Sequence, residues 1–197
     1  QASELQDKGV LANCHVNVLQ TQDHPQFKTY AEELKWLTTD KVRMAWVAKT
    51  IKDISTSGNT LILVDRISAG QILQEQLEDS VFVSGSTKNI DRKEQYDEVS
   101  TATNKIIIAT YGVASVGINI PRIFNLVLIE PGKSFVRVIQ SIGRGIRKAE
   151  DKENVQIWDI TSSCKFAKRH LGARKKFYKE ANYPYNIEKV NYENPYT

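Results

Sequence analysis

The 197-residue chain is 41% hydrophobic and 25% charged and carries a formal net charge of +4, an ordinary composition for a globular protein with one sizeable core. Its longest apolar runs, such as Ile106-Ile107-Ile108-Ala109, are far too short to cross a bilayer. Cys14 and Cys164 stand apart from any metal-ligand spacing, so zinc is not expected. With no secretory leader read at Gln1, a reducing cytoplasmic setting is the expectation.

Along the chain, His15–Leu19 has the character of a short strand, and Phe27–Leu37 has helical spacing with Tyr30, Leu34 and Leu37 on one side. Thr39 or Asp40 can cap a second helix running to about Ser55, where Gly58 stops it. Strands and helices then alternate. The apolar runs Thr60–Val64, Val81–Val83, Lys105–Ala109, Asn125–Ile129 and Val155–Ile160 read as strands. The segments from about Ser68 to Leu77, Ile90 to Val99, Ser134 to Lys148 and Ser163 to Ala181 read as helices. Continuously apolar strands alternating with helices predict an α/β fold: a doubly wound, mainly parallel sheet with helices on both faces. Ligands of such sheets bind beyond the carboxyl ends of the strands. Asp65, Gly85, Thr110, Gly112 and Gln140 all follow strands or open the next element.

Charge is unevenly placed. Between Lys133 and Lys179 there are thirteen Lys/Arg against four Asp/Glu, leaving fourteen basic and nineteen acidic residues elsewhere. A single basic block on an otherwise acidic chain points to a local anionic partner, nucleotide phosphates or a nucleic-acid backbone. The most specific pattern within it is Gln140-Ser141-Ile142-Gly143-Arg144-Gly145-Ile146-Arg147. On a helix Arg144 and Arg147 share a face with Gln140, and the two glycines leave room for a bulky anion. A guanidinium keeps its charge and suits a transferring phosphoryl group, so the pattern reads as an arginine finger. Two solvated arginines on a helix face are the plainer alternative.

Thr110–Pro121 follows the most apolar strand with small and hydroxyl residues that can meet a phosphate, and Asn119 can bond a ribose hydroxyl; an ordinary strand-to-helix turn uses the same residues. Val83-Ser84-Gly85-Ser86-Thr87, followed by Arg92, carries the same two readings. Lys165–Lys179 interleaves Lys165, Lys168, Arg169, Arg174, Lys175, Lys176 and Lys179 with Phe166, Phe177 and Tyr178. It suits either a nucleic-acid backbone or a solvated helix whose aromatic face packs on the sheet. Gly132-Lys133-Ser134 resembles the end of a P-loop, but the required glycine five residues earlier is Val127.

The order of these segments resembles the second RecA-like lobe of superfamily two helicases, over about Lys41 to Ala181. Leu61–Asp65 is similar to the family's motif IV, Thr110–Pro121 to motif V, and Gln140–Arg147 to motif VI. Asp65-Arg66-Ile67 and Ala109-Thr110-Tyr111-Gly112 most resemble the T4-type phage branch of DNA helicases that act on branched DNA and R-loops. That resemblance implies a C-terminal motor lobe flanked by an interlobe linker (1–40) and a tail (182–197). It implies an ATP-dependent role in recombination and fork rescue, with Arg147 as the finger on the γ-phosphate and Arg144 its partner. Gln140, Gly143, Gly117 and Asn119 would line the nucleotide cleft; Ser84, Gly85, Thr110, Gly112, Lys175 and Lys176 would meet nucleic acid. Gln140 and Asn119 stand where DEAD-box members have His and Asp, which favours DNA over RNA. Neither a P-loop nor an Asp-Glu-x-His-type segment occurs. The resemblance therefore implies that the N-terminal RecA-like lobe is a partner, that it holds Mg²⁺, and that this chain alone hydrolyses no ATP. A non-catalytic nucleic-acid-binding module is the rival reading.

Overall fold

A computed structural model of the chain describes residues 14–83, 104–116, 123–132, 135, 138–140 and 155–192. Seven strands form one sheet: β1 (Cys14–Thr21), β2 (Thr60–Val64), β3 (Val81–Val83), β4 (Ile106–Thr110), β5 (Asn125–Ile129), β6 (Val155–Ser162) and β7 (Tyr185–Val190). Their order is β3-β4-β2-β5-β6-β1-β7, and every pairing is parallel. The helices are α1 (Tyr30–Thr39), α2 (Lys41–Ser55), α3 (Ile67–Gln76), α4 (Tyr111–Ser115) and α5 (Lys165–Glu180), with further helical residues at 135 and 138–140.

The central strands are legible for a physical reason. Every residue of Thr60–Val64 and Asn125–Ile129 is buried, as strands covered on both faces require. One side of the sheet packs Leu61, Leu63, Ile107, Leu126 and Leu128 against α4 and the Phe177 and Tyr178 face of α5. The other packs Ile62, Val64, Ile108 and Val127 against Met44, Val47 and Ile51 of α2 and Leu73 of α3.

Asp40 turns the corner between the first two helices. Its backbone N–H donates to Trp36 O at the end of α1, and its carboxylate accepts from Arg43 N (3.0 Å) at the start of α2. One residue thus closes one helix and opens the next. Gly58 follows α2 at φ 151°, with Phe124 Cβ only 2.9 Å from where a side chain would begin, so both backbone and space call for glycine there.

Three readings of the sequence change. The inward face of α1 is Glu33, Leu37 and Thr38 rather than Tyr30, Leu34 and Leu37. Glu33 turns in because its carboxylate accepts from Phe166 N (2.9 Å) and Ala167 N (2.8 Å), capping α5 across the fold. The segments flanking 41–181 also enter the sheet: β1 lies between β6 and β7, in register with eight residues of the former and six of the latter. Residues 1–40 and 182–197 thus each contribute a strand to the sheet. Arg174, counted with the basic helix, is 1% exposed and belongs to the core. The helix expected from Ile90 to Val99 lies outside the described residues.

Candidate active-site edge

Because all seven strands are parallel, their carboxyl ends form one edge of the molecule. The residues there are Asp23, Asp65, Thr110, Glu130 and Ser163. Thr110 ends β4, and its hydroxyl accepts from Val113 N (3.2 Å) to cap α4. Gly112 sits in the first turn of α4, exposed, and a Cβ there would meet only Thr110 Oγ1 at 3.8 Å. A backbone with so little cover is open to close approach by a ligand. Gln140 is helical and half-buried, on the segment that follows β5. Ser84, Gly85, Gly117, Asn119, Gly143, Arg144 and Arg147 lie outside the described residues.

Lys175 and Lys176 do not join this edge. Helix α5 leaves the carboxyl end of β6 and returns toward the amino end of β7, where Pro184 O accepts from Val16 N. At about 1.5 Å per residue, Lys175 lies roughly 15 Å down the helix. It is half-buried and Lys176 is exposed. The lysines of α5 nearest the edge are Lys165 and Lys168, which line a cavity of about 540 Å³ with Asp23, His24 and Ser163. Phe177 is buried, edge-on to Phe135 at 5.2 Å. Phe166 is half-buried, with Lys165 Nζ 5.3 Å and Arg169 Cζ 5.6 Å from its ring. The aromatics of α5 thus divide: one face packs on the sheet, and Phe166 faces outward beneath two cations.

Beneath the edge lie two buried ion-pair groups that periodicity could not reveal. Arg43, fully buried, donates to Glu130 Oε1 (2.7 Å), Thr21 Oγ1 (3.1 Å), Leu37 O (2.5 Å) and Thr161 O (3.2 Å). Its Nε also lies 3.6 Å from Asp23 Oδ2. Glu130 takes a further bond from Thr161 Oγ1 (3.1 Å) and sits at φ 44°. A non-glycine residue in that region costs about 1–2 kcal/mol, and the buried bonds to Arg43 and Thr161 hold it there. Burial pushes the Glu130 carboxyl up to about 7, against the pull of Arg43 and Arg174. In the second group Arg174 grips Asp159 through Nε (2.8 Å) and Nη2 (2.9 Å), while Tyr178 Oη donates to the same carboxylate (2.7 Å). The remaining Arg174 Nη1 donates to Pro131 O (2.5 Å).

Between these groups and β4, a cavity of about 180 Å³ is lined by Tyr30, Asp65, Tyr111, Glu130, Gly132 and Phe135. Tyr111 Oη donates to Ile129 O (3.0 Å), and burial raises its phenol well above the ordinary range. Asp65 accepts from Arg66 Nε (2.8 Å) through Oδ2, while its buried Oδ1 has no partner among the described residues. The two carboxyl groups in its wall, Asp65 and Glu130, are each paired with an arginine, Arg66 and Arg43. Among the described residues no group of three His, Cys, Asp or Glu could hold a metal ion, and no helix is long and apolar enough to cross a membrane. Cys14 and Cys164 are buried and unpaired, and burial pushes the Cys14 thiol up to about 12.

Comparison with known proteins agrees with this geometry. The chain is 28% identical over 186 residues to the ATP-dependent DNA helicase uvsW of Enterobacteria phage T4, covering 89% of this chain but only 37% of that relative. The crystal structure of T4 UvsW superposes with a TM-score of 0.77 at 24% identity, over 90% of this chain and 42% of that one. The C-terminal domain of the DEAD-box protein Dbp5 superposes at 0.59 and 19% identity, over 91% of each chain. The shared fold is that of RecA-like helicase C-terminal lobes. Residues 42–149, more than half of the chain, match the helicase conserved C-terminal domain, and the chain belongs to that family.

Proposed function

We propose that this chain is the C-terminal motor lobe of an ATP-dependent DNA helicase or branch-migration translocase acting on branched DNA or R-loops in recombination and fork rescue. The observation that carries the reading is the similarity to the phage T4 helicase across 89% of this chain. The open edge at Thr110 and Gly112 supports it. The chain covers 37% of that relative, so the complete motor includes an N-terminal RecA-like lobe.

In this reading Arg147 is the finger that stabilises charge on the γ-phosphate of ATP, with Arg144 beside it and Gln140, Gly143, Gly117 and Asn119 lining the cleft between lobes. Mg²⁺ is held mainly by the partner lobe. Ser84, Gly85, Thr110 and Gly112 touch the nucleic-acid backbone along the carboxyl edge, while Lys175 and Lys176 offer a separate basic contact. The buried Arg43–Glu130 and Arg174–Asp159 groups keep that edge rigid while the lobes open and close. This chain alone has negligible ATPase activity.

The test is DNA-stimulated ATP hydrolysis by the two-lobe protein and its Arg147→Ala variant. ATP and DNA binding are expected to persist while turnover falls by roughly 10³–10⁵. Unchanged turnover would remove the finger and the motor reading together.

A further inference from the structure

In the half of the sheet formed by β6, β1 and β7, α5 covers one face and α2 covers part of the other, where Leu19 and Ile160 are buried. On that second face, among the described residues, the chain leaves a groove of about 480 Å³ between α2 and the sheet. Its floor and walls are apolar: Leu19, Ile54 and Val190, with Trp46 and Trp158 both half-buried. Tyr192 stacks on Trp46 (6.0 Å, 30°) at one end. Thr50 and Ser57 add hydroxyls, and among the described residues the charged side chains in the lining are Asp53 and Glu188, both exposed.

Two tryptophans beside two carboxylates fit one kind of guest, a cation on an apolar stem. The stem lies against leucine, isoleucine and valine, while the charge meets ring faces and carboxylates. Phosphate-bearing partners are repelled by the same carboxylates, which separates this groove from the basic first turn of α5. We infer that the groove docks a basic segment of a partner protein, inserting a lysine or arginine side chain beside Trp46 and Trp158. The inference does not depend on the motor reading.

The probe is an acetylated and amidated seven-residue peptide alternating lysine and leucine, titrated into the 197-residue chain while tryptophan fluorescence is followed. Saturable one-to-one binding is expected, weakened by salt and absent for the same peptide with glutamate replacing lysine. The double variant Asp53→Lys/Glu188→Lys changes only exposed positions and should weaken binding at least tenfold. Thr50→Arg, which places the chain's own cation in the groove, should do the same with the circular dichroism melt unchanged. Absence of saturable binding, or equal affinity in the variants, would each overturn the proposal.

Discussion

Replacing Arg174 by methionine separates two roles that its sequence position leaves mixed, a basic contact for nucleic acid and a strut of the core. Arg174 is 1% exposed and its three donor nitrogens reach Asp159 twice and Pro131 O once. Methionine fills similar space but leaves the Asp159 carboxylate buried with only the Tyr178 hydroxyl, at 2.7 Å. Removing one partner of a buried pair costs about 3–5 kcal/mol, because the surviving charge stays desolvated. For a chain of this size that is a fall in melting temperature of about 6–20 °C. The assay is urea unfolding of Arg174→Met beside Arg174→Met/Asp159→Leu. The double variant removes the orphaned charge and should regain more than half of the loss. A single-variant loss below about 1 kcal/mol, or a double variant no better than the single, would refute the reasoning. DNA affinity per folded molecule should be unchanged, since the guanidinium never reaches solvent.

The other expectations concern the same framework. Glu130 titrates near 7 in the fold against an ordinary value of 4.5. Between those values the folded state therefore holds a proton that the unfolded chain has lost. Its contribution is complete below pH 4.5 and gone above 7, an amount of about 3 kcal/mol. Urea unfolding at pH 5 and pH 8 should show this decline in the wild type, and Glu130→Gln should lack it; identical slopes would contradict the assignment. Glu33→Ala strips two charge-assisted bonds from the start of α5 and should cost about 2 kcal/mol, read as a lower urea midpoint. A chain cut to residues 41–181 loses β1, α1 and β7, and with them one neighbour of β6 and the Arg43 contacts at Thr21, Asp23 and Leu37. It should show no cooperative melt by circular dichroism, and a melt within a few degrees of the full chain would disprove that dependence.

What could be read ahead of the structure was decided by how locally each signal is written. Thr60–Val64 and Asn125–Ile129 announce buried strands because they are apolar but for Thr60 and Asn125, whose side chains bond the end of α2 and the turn after it, at Ile54 O, Ser57 Oγ and Gly58 O. Asp40 and Gly58 mark helix ends through their own short-range geometry. Tyr185–Val190 announces nothing: its middle is exposed and its partner is a strand about 170 residues earlier. Glu33 looked like a solvent residue between Leu34 and Tyr30, since its two donors lie 133 and 134 residues away. Arg174 misled in the same way, as charges normally mark surface, and nothing local marks Arg43 as buried either. Only the fold brings Glu130 and Asp159 to meet them. Of the candidate site, the strand-end positions Thr110 and Gly112 followed from topology. Lys175 and Lys176, chosen for local charge density, sit well away from that edge because a helix antiparallel to the strands carries its later turns toward their amino ends.

The position of the buried charges bears on function more than their energy does. Ion pairs of this kind are no more stabilising than well-packed apolar groups of the same volume, so stability alone does not account for placing two of them under one edge. What they add is directional restraint. Arg43 is held by four acceptors drawn from β1, α1, β5 and β6, and a shift of any one element by a fraction of an ångström would leave a charge unpaired in a dry interior. Leucines in the same place would tolerate such a shift. Arg174 extends the restraint from β6 to Pro131, the residue between Glu130 and the segment that carries Gln140. Strands β5 and β2 separate that restrained β5–β6 boundary from β4 and are buried throughout, so the restraint is continuous through packed core to the strand that ends in Thr110.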